Sequence, residues 1–173
     1  TSYFVARCFL LAVLISALAG CDSKREHTLT GRTMGTTYTV KVVTGFFGSV
    51  AGLQGKIDRR LDEINRSISP YIKDSEISRF NRFHQVGKEF PISEDFLRVM
   101  KAAARLYAIS GGAWDGTVGP LVDVWGFGRG GSPGRVPPVE TIAALLRDVG
   151  FNKIEIRDSG ALVKRHASVS LDL

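Results

Sequence analysis

Residues 112–128 read Gly-Ala-Trp-Asp-Gly-Thr-Val-Gly-Pro-Leu-Val-Asp-Val-Trp-Gly-Phe-Gly, within a glycine- and proline-rich stretch that covers residues 111–138. This stretch is too long and too aromatic for a simple linker, and long irregular segments that carry large rings commonly line a site. Asp115 follows an aromatic residue on a glycine-flanked loop, where a carboxylate can accept hydrogen bonds while the backbone approaches a ligand. For Trp125 and Phe127 we favour core packing, because aromatics between glycines more often wedge a loop onto a core.

The residues before this stretch predict a strand and a long helix. Residues 36–43 are β-branched and alternate, which predicts a strand with one apolar face, formed by Tyr38, Val40 and Val42. From Ser49 onward, apolar residues recur at steps of three and four until Pro70. This spacing predicts a long amphipathic helix that ends before the proline.

Two serines mark the starts of further helices. Ser75 is predicted to cap a short helix that ends at Asn81, and Ser93 to cap a longer helix that continues through Tyr107. The glycines at positions 111 and 112 would close the second helix. Downstream, the pattern predicts a helix over residues 139–149, a hairpin of strands 153–157 and 161–164, and a third strand over residues 168–171.

The start of the chain has the pattern of a secretory leader. An uncharged apolar run over residues 9–18 follows Arg7 and ends in Leu18-Ala19-Gly20-Cys21. The run is too short to span a bilayer, and it predicts a signal peptide over residues 1–20. The alternative is a buried N-terminal helix with an incidental cysteine.

The segment around Cys21 resembles the lipobox of bacterial lipoproteins, which implies lipidation of Cys21. Residues 22–28 are predicted to be a polar tether, and the lipidated cysteine and tether together are assigned to residues 21–30. Asp22 resembles the signal that retains such proteins at the inner membrane, which implies a lipid-anchored protein on the periplasmic face. Cys8, the other cysteine, would be removed with the leader, leaving no disulfide pair.

The remaining composition limits the functions to consider. The formal charge is +6 over 173 residues, but the basic residues are interleaved with acids, so nucleic acid is not an expected partner. The sequence contains neither a P-loop nor a dinucleotide-binding glycine motif. The three histidines are scattered without zinc-like spacing, at positions 27, 84 and 166.

Four segments, in order, resemble the ApbE family of FAD:protein FMN transferases. Residues 31–38 are close to the family's G-x-T-M-G-T-x-Y, and residues 68–81 to M-S-x-Y-x-x-D-S-E-[IL]-S-x-[FL]-N. Residues 112–128 are similar to G-A-F-D-x-T-[VI]-x-P-L-[VI]-x-[LV]-W-G-F-G. Residues 170–173 resemble the start of the family's [IV]-D-L-G segment.

The resemblance implies which residues contact FAD, namely Met34, Tyr71, Ala113, Trp114, Asp115 and Asp172. Asp172 is implied as an FAD or metal-site group, while the magnesium ligands of the family lie beyond residue 173. From its residues alone, the segment around Met34 is simply a turn into a strand. For Asp74, Ser75 and Asn81, helix capping and loop tethering are the favoured roles.

The fold and activity expected from the resemblance are specific. It implies an α+β fold of mixed sheets with packed helices, of which residues 31–173 are the N-terminal part, truncated at the C-terminal side. It implies transfer of FMN from FAD to a threonine of a target protein, with release of AMP and a requirement for Mg²⁺. Expected acceptors are subunits of membrane redox complexes of the NADH:quinone reductase or Rnf type. The alternatives are a periplasmic lipoprotein that only binds or hydrolyses FAD, and a non-enzymatic structural lipoprotein; the present chain by itself is expected to be inactive and poorly folded.

Overall fold

The computed structural model of the protein describes residues 24–128 and 136–173. The predicted signal peptide and the lipidation at Cys21 lie outside these residues. By its internal contacts the chain divides into two units, one up to Arg59 and one from Arg60 onward, which are described separately. Among the helices of the two described ranges, none is long and apolar enough to cross a bilayer.

The first unit contains a hairpin of β1 (Arg25–Thr33) and β2 (Thr36–Thr44), paired antiparallel over nine positions. Met34 and Gly35 form its turn with φ of 50° and 74°, as expected for a two-residue hairpin loop. β2 confirms the predicted strand, with its residues 38, 40 and 42 half-buried on one face.

The predicted tether is wrong over residues 25–30, which belong to β1. This segment is polar, but its side chains have partners on β2: Glu26 pairs with Lys41 at 2.8 Å, and His27 contacts the Thr44 hydroxyl at 3.0 Å. Cross-strand pairing therefore orders a stretch whose composition alone is typical of a linker.

Three predicted helices are present, and the first of them starts later than predicted. Helix α1 covers Leu53–Ile68 and starts later than predicted, after Gly52 with a φ of 73°. Helices α2 (Glu76–Asn81) and α3 (Glu94–Ile109) have the predicted caps, since the hydroxyl oxygens of Ser75 and Ser93 accept hydrogen bonds from backbone N–H groups in the first turn.

The second unit has a three-stranded antiparallel sheet in the order β3 (Glu89–Pro91), β5 (Ala161–Lys164), β4 (Ile154–Arg157). The β4–β5 hairpin confirms the predicted one. The predicted third strand over residues 168–171 is wrong, because those residues form no strand and the third strand of the sheet is β3. Those residues lack a backbone ladder, and a side chain described below holds them instead. The α+β class is confirmed, and both sheets of the described ranges are antiparallel.

Two short helices belong to the glycine-rich region and its end. Helix α4 (Gly119–Val124) lies inside the stretch expected to be irregular, with Pro120 in its first turn, where a missing N–H costs nothing. Helix α5 covers Val139–Leu146 and ends three residues before the predicted limit. The core that supports these elements lies between α2, α3 and the sheet, and its largest fully buried apolar members are Ile77, Phe80, Phe96, Met100 and Leu162.

Candidate functional site

A cleft in the second unit lies beside the N-terminal end of α4. Its volume is about 70 Å³, below the size range of complete small-molecule sites, so it can hold only part of a large ligand. Its lining combines aromatic, amide and carboxylate side chains with close backbone, including Tyr71, Asn81, Gly119, Asp123, Phe127 and Asp172. The cleft therefore offers flat rings for stacking and carboxylates that accept hydrogen bonds.

Asn81 fixes the C-terminal wall of the cleft. Its Nδ2 donates to the Leu171 carbonyl at 2.9 Å, and its Oδ1 accepts from the Leu171 N–H at 2.8 Å. The next residue, Asp172, donates its backbone N–H to the Gly116 carbonyl at 2.8 Å. The predicted tethering role of Asn81 is confirmed, and it holds the backbone that carries Asp172.

Gly119 allows Asp172 to approach α4 closely. A Cβ at position 119 would lie 3.3 Å from the Asp172 Cβ, tighter than ordinary van der Waals contact. The glycine thus brings the Asp172 backbone against the start of α4, where the side chain reaches the cleft. This close approach gives a structural reason for the glycine of this chain at a helical position that would otherwise favour alanine.

Asp115 organises the loop that precedes α4. Its Oδ1 accepts hydrogen bonds from the Thr117 N–H at 2.8 Å and the Thr117 hydroxyl at 2.6 Å. Its Oδ2 accepts from the Phe151 N–H at 3.0 Å, and the Thr117 hydroxyl oxygen accepts from the Gly150 N–H at 2.7 Å. These hydrogen bonds join the loop to the turn before β4. Thr117, at their centre, is fully buried.

The predicted FAD contacts are distributed over three places. Tyr71 and Asp172 line the cleft together, whereas residues 113–115 lie outside its lining. Ala113 is exposed, and Trp114 packs toward the core with its ring 6.2 Å from that of Phe151. Met34 lies in the hairpin turn of the first unit and is 50% exposed. Their contacts with FAD remain predictions.

Core packing of Trp125 and Phe127 was the wrong expectation. Trp125 is 39% exposed and Phe127 is 70% exposed, and Phe127 lines the cleft. Phe127 follows α4 directly and is flanked by glycines, which contribute no side chains to cover its ring. In this chain the glycine-flanked ring of Phe127 therefore lines the cleft instead of packing in the core.

Lys164 is a buried cation that the sequence did not reveal. It is fully buried at the end of β5, where its Nζ donates to the Asn81 carbonyl at 3.2 Å and lies 4.9 Å from the centre of the Phe80 ring. Burial lowers the pKa of the Lys164 amine to about 8. As the last residue of an apolar strand it resembles an ordinary exposed strand end, and only the tertiary packing distinguishes it.

Metal-ligating side chains are sparse in the parts of the chain that the structure describes. There, no three or more His, Cys, Asp or Glu side chains come together as a possible metal site. Asp123 and Asp172 each bring a carboxylate to the cleft, the ligand type that Mg²⁺ prefers. Because Mg²⁺ is commonly held by one or two carboxylates together with substrate phosphates and water, these two side chains fit that ion in type.

Replacing Asn81 with alanine is expected to lower the free energy of unfolding by about 2 kcal/mol, roughly 1 for each lost backbone hydrogen bond. Asn81→Asp keeps the acceptor for the Leu171 N–H but places a carboxylate oxygen opposite the Leu171 carbonyl, and two acceptors repel, so a loss at least as large as that of alanine is expected. Urea denaturation measures both, with the exposed Asn152→Ala as the matched control. Equal stability of the Asn81 and Asn152 variants would contradict the tethering role.

Comparison with known proteins shows consistent similarity. The sequence profile of the ApbE family matches residues 34–173. A protein from Vibrio cholerae serotype O1 called FAD:protein FMN transferase is 42% identical, over 90% of this chain and 47% of its own length. A protein of the same name from Haemophilus influenzae is 38% identical, over 95% of this chain and 49% of its own length.

Solved structures are similar as well. The flavin transferase ApbE from Vibrio cholerae superposes with a TM-score of 0.79 at 39% identity, covering 86% of this chain and 48% of that one. The apo flavinyl transferase ApbE of Pseudomonas stutzeri gives 0.78 at 35% identity, covering 86% and 49%. The chain therefore spans about half the length of the relatives it matches.

Proposed function

We propose, from the premise that the chain belongs to the ApbE family, that the protein transfers FMN from FAD to a threonine hydroxyl of an acceptor protein. The observation that carries this proposal is the cleft, because two family-motif residues far apart in sequence, Tyr71 and Asp172, line it together. Relatives of at least 38% identity that are named FAD:protein FMN transferase support the same reaction.

The reaction is a phosphoryl-type displacement on the pyrophosphate of FAD. The threonine oxygen forms a bond to the FMN phosphorus, the bond from that phosphorus to the bridging oxygen breaks, and AMP leaves with that oxygen. The hydroxyl proton passes to a base. Such a displacement depends mainly on positioning and on charge stabilisation.

The cleft residues can bind and orient the donor. The exposed rings of Tyr71 and Phe127 offer faces for stacking on a flat heterocycle. The carboxylates of Asp123 and Asp172 can accept hydrogen bonds from ribose hydroxyls or ring N–H groups. Carboxylates repel phosphates, so these two side chains suit a nucleoside part of FAD better than its unshielded pyrophosphate.

A requirement for Mg²⁺ belongs to the proposal through the family resemblance alone. Among the residues that the structure describes, Asp123 and Asp172 would offer the ion carboxylates at the cleft, although no three His, Cys, Asp or Glu side chains group together there. Removal of divalent cations with EDTA is the direct check of this requirement.

The proposed location is the periplasmic face of the inner membrane, with a lipid on Cys21. The small residues before Cys21 and the polar residues after it support this location. The proposed acceptors are subunits of membrane redox complexes of the NADH:quinone reductase or Rnf type. An anchored enzyme would share a surface with such acceptors, which raises their effective concentration.

Mass spectrometry of an acceptor subunit co-expressed with the full-length protein tests the proposal. We expect FMN on one threonine and an equal amount of AMP, both lost when the divalent cation is chelated. Asp172→Asn is expected to reduce transfer at least tenfold, whereas Asp62→Asn, on the exposed face of α1, leaves it unchanged. Conversion of FAD to free FMN and AMP without an adduct would identify a hydrolase and contradict the transferase.

A further inference from the structure

Two adjacent phenylalanines lie exposed at the open end of the β1–β2 hairpin. Phe46 is 52% exposed and Phe47 is 95% exposed, on a loop bounded by Gly45 and Gly48. Their rings meet edge to face with centroids 5.0 Å apart. We call these four residues, 45–48, the aromatic tip. Two rings this exposed gain from any contact that removes them from water.

Cationic side chains accompany the aromatic tip. The Arg25 guanidinium lies over the Phe46 ring, 4.6 Å from its centre, and Lys24 is its exposed neighbour in sequence. The nearby carboxylate of Glu26 is paired with Lys41 at 2.8 Å. Exposed aromatic rings beside basic residues match the chemistry of a membrane surface that carries anionic lipid.

The strand register brings the aromatic tip to the end where the chain enters the hairpin. Arg25 pairs with Thr44, the residue directly before the tip. Cys21, the proposed lipid attachment point, precedes Arg25 by four residues, which span at most about 14 Å when extended. A lipid on Cys21 would therefore keep the aromatic tip near the bilayer.

We propose that the aromatic tip inserts Phe46 and Phe47 into the interface of a bilayer that contains anionic phospholipid, with Lys24 and Arg25 at the headgroups. The tip is thus a second attachment beside the proposed lipid, and the apolar area that it buries adds to the membrane affinity. A protein partner for the same rings is the competing occupant. The charge pattern does not support a protein partner, because the basic residues beside the rings fit the phosphate headgroups of a bilayer.

The first experiment reads insertion directly in the full-length protein. Phe47→Trp places an indole at the tip, and vesicles of phosphatidylethanolamine and phosphatidylglycerol with brominated acyl chains quench indoles that enter the bilayer. We expect quenching and a blue shift larger than those of the unsubstituted protein, which gives the background signal of its own tryptophans, Trp114 and Trp125 among them. Val86→Trp, at a similarly exposed apolar position, is the matched control and should stay unquenched. Equal responses of the two variants would overturn the proposal.

The second experiment separates the tip from the lipid. In a Cys21→Ala background without the acyl chains, Phe46→Ser with Phe47→Ser is expected to lower partition into the same vesicles by at least about tenfold, because each ring loses its burial. Val86→Ser should leave partition unchanged, and vesicles without phosphatidylglycerol should bind the unsubstituted tip more weakly. Unchanged partition of the double variant would refute insertion, whereas flavin transfer to a soluble acceptor fragment should be the same in all variants.

Discussion

Asp115→Ala is expected to lower the free energy of unfolding by about 3 kcal/mol. The carboxylate accepts three hydrogen bonds, from the Thr117 N–H, the Thr117 hydroxyl and the Phe151 N–H. Hydrogen bonds to a charged group contribute about 1.5–3 kcal/mol each, and partly buried donors left without a partner add a cost. Water can replace some of these hydrogen bonds at a half-buried site, so the expected loss of unfolding free energy is smaller than the sum of the three individual contributions. Urea denaturation at neutral pH measures the loss.

Thr117→Val provides the matched comparison for Asp115. It has the same shape but removes the hydroxyl that bridges Asp115 and the Gly150 N–H, so a loss of about 1–2 kcal/mol is expected. If Asp115 also contacts FAD, Asp115→Ala should lose much more FAD affinity than Thr117→Val loses. Equal affinities would restrict Asp115 to organising the loop. A stability of Asp115→Ala like that of the exposed control Asp62→Asn would contradict the network.

Much of the fold could be predicted because its signals are local. The caps Ser75 and Ser93 each bind a backbone N–H three residues ahead, so a short window of sequence contains both partners. The same is true of the β4–β5 hairpin and its tight turn. The family motifs likewise indicated Tyr71 and Asp172, which the fold brings to one cleft.

The features that could not be predicted depend on distant partners. Asn81 binds Leu171 across 90 positions, and replaces the backbone ladder that the apolar pattern of residues 168–171 had indicated. β1 is a strand because β2 lies beside it, although its composition is that of a linker. The sequence could not distinguish Phe127 from a core ring, because glycines flank aromatic rings that pack into a core as well as rings that line a cleft.

Lys164 leads to the second large effect, a dependence of stability on pH. Burial lowers the pKa of its amine to about 8 from an ordinary value of 10.5, so between these values the unfolded chain binds more protons than the folded one. Stability from this group therefore rises as pH increases through that window, and the cost of the buried ammonium is fully present below it. The difference of 2.5 pKa units, 10.5 minus 8, corresponds to about 3 kcal/mol.

Lys164→Met removes this titration and makes the effect measurable. Urea denaturation on both sides of the window should show the unsubstituted protein gaining about 3 kcal/mol relative to Lys164→Met as pH rises. Lys88→Met, at an exposed position, serves as the control. Its unfolding free energy should differ from that of the unsubstituted protein by the same amount at every pH. Comparing variants in this way removes the contribution of tyrosines and surface lysines, which titrate equally in all of them. The sign distinguishes burial from ion pairing, because a lysine stabilised by a carboxylate would lose stability over the same range. Parallel pH profiles for the unsubstituted protein and Lys164→Met would show that the amine is not held in a desolvated site.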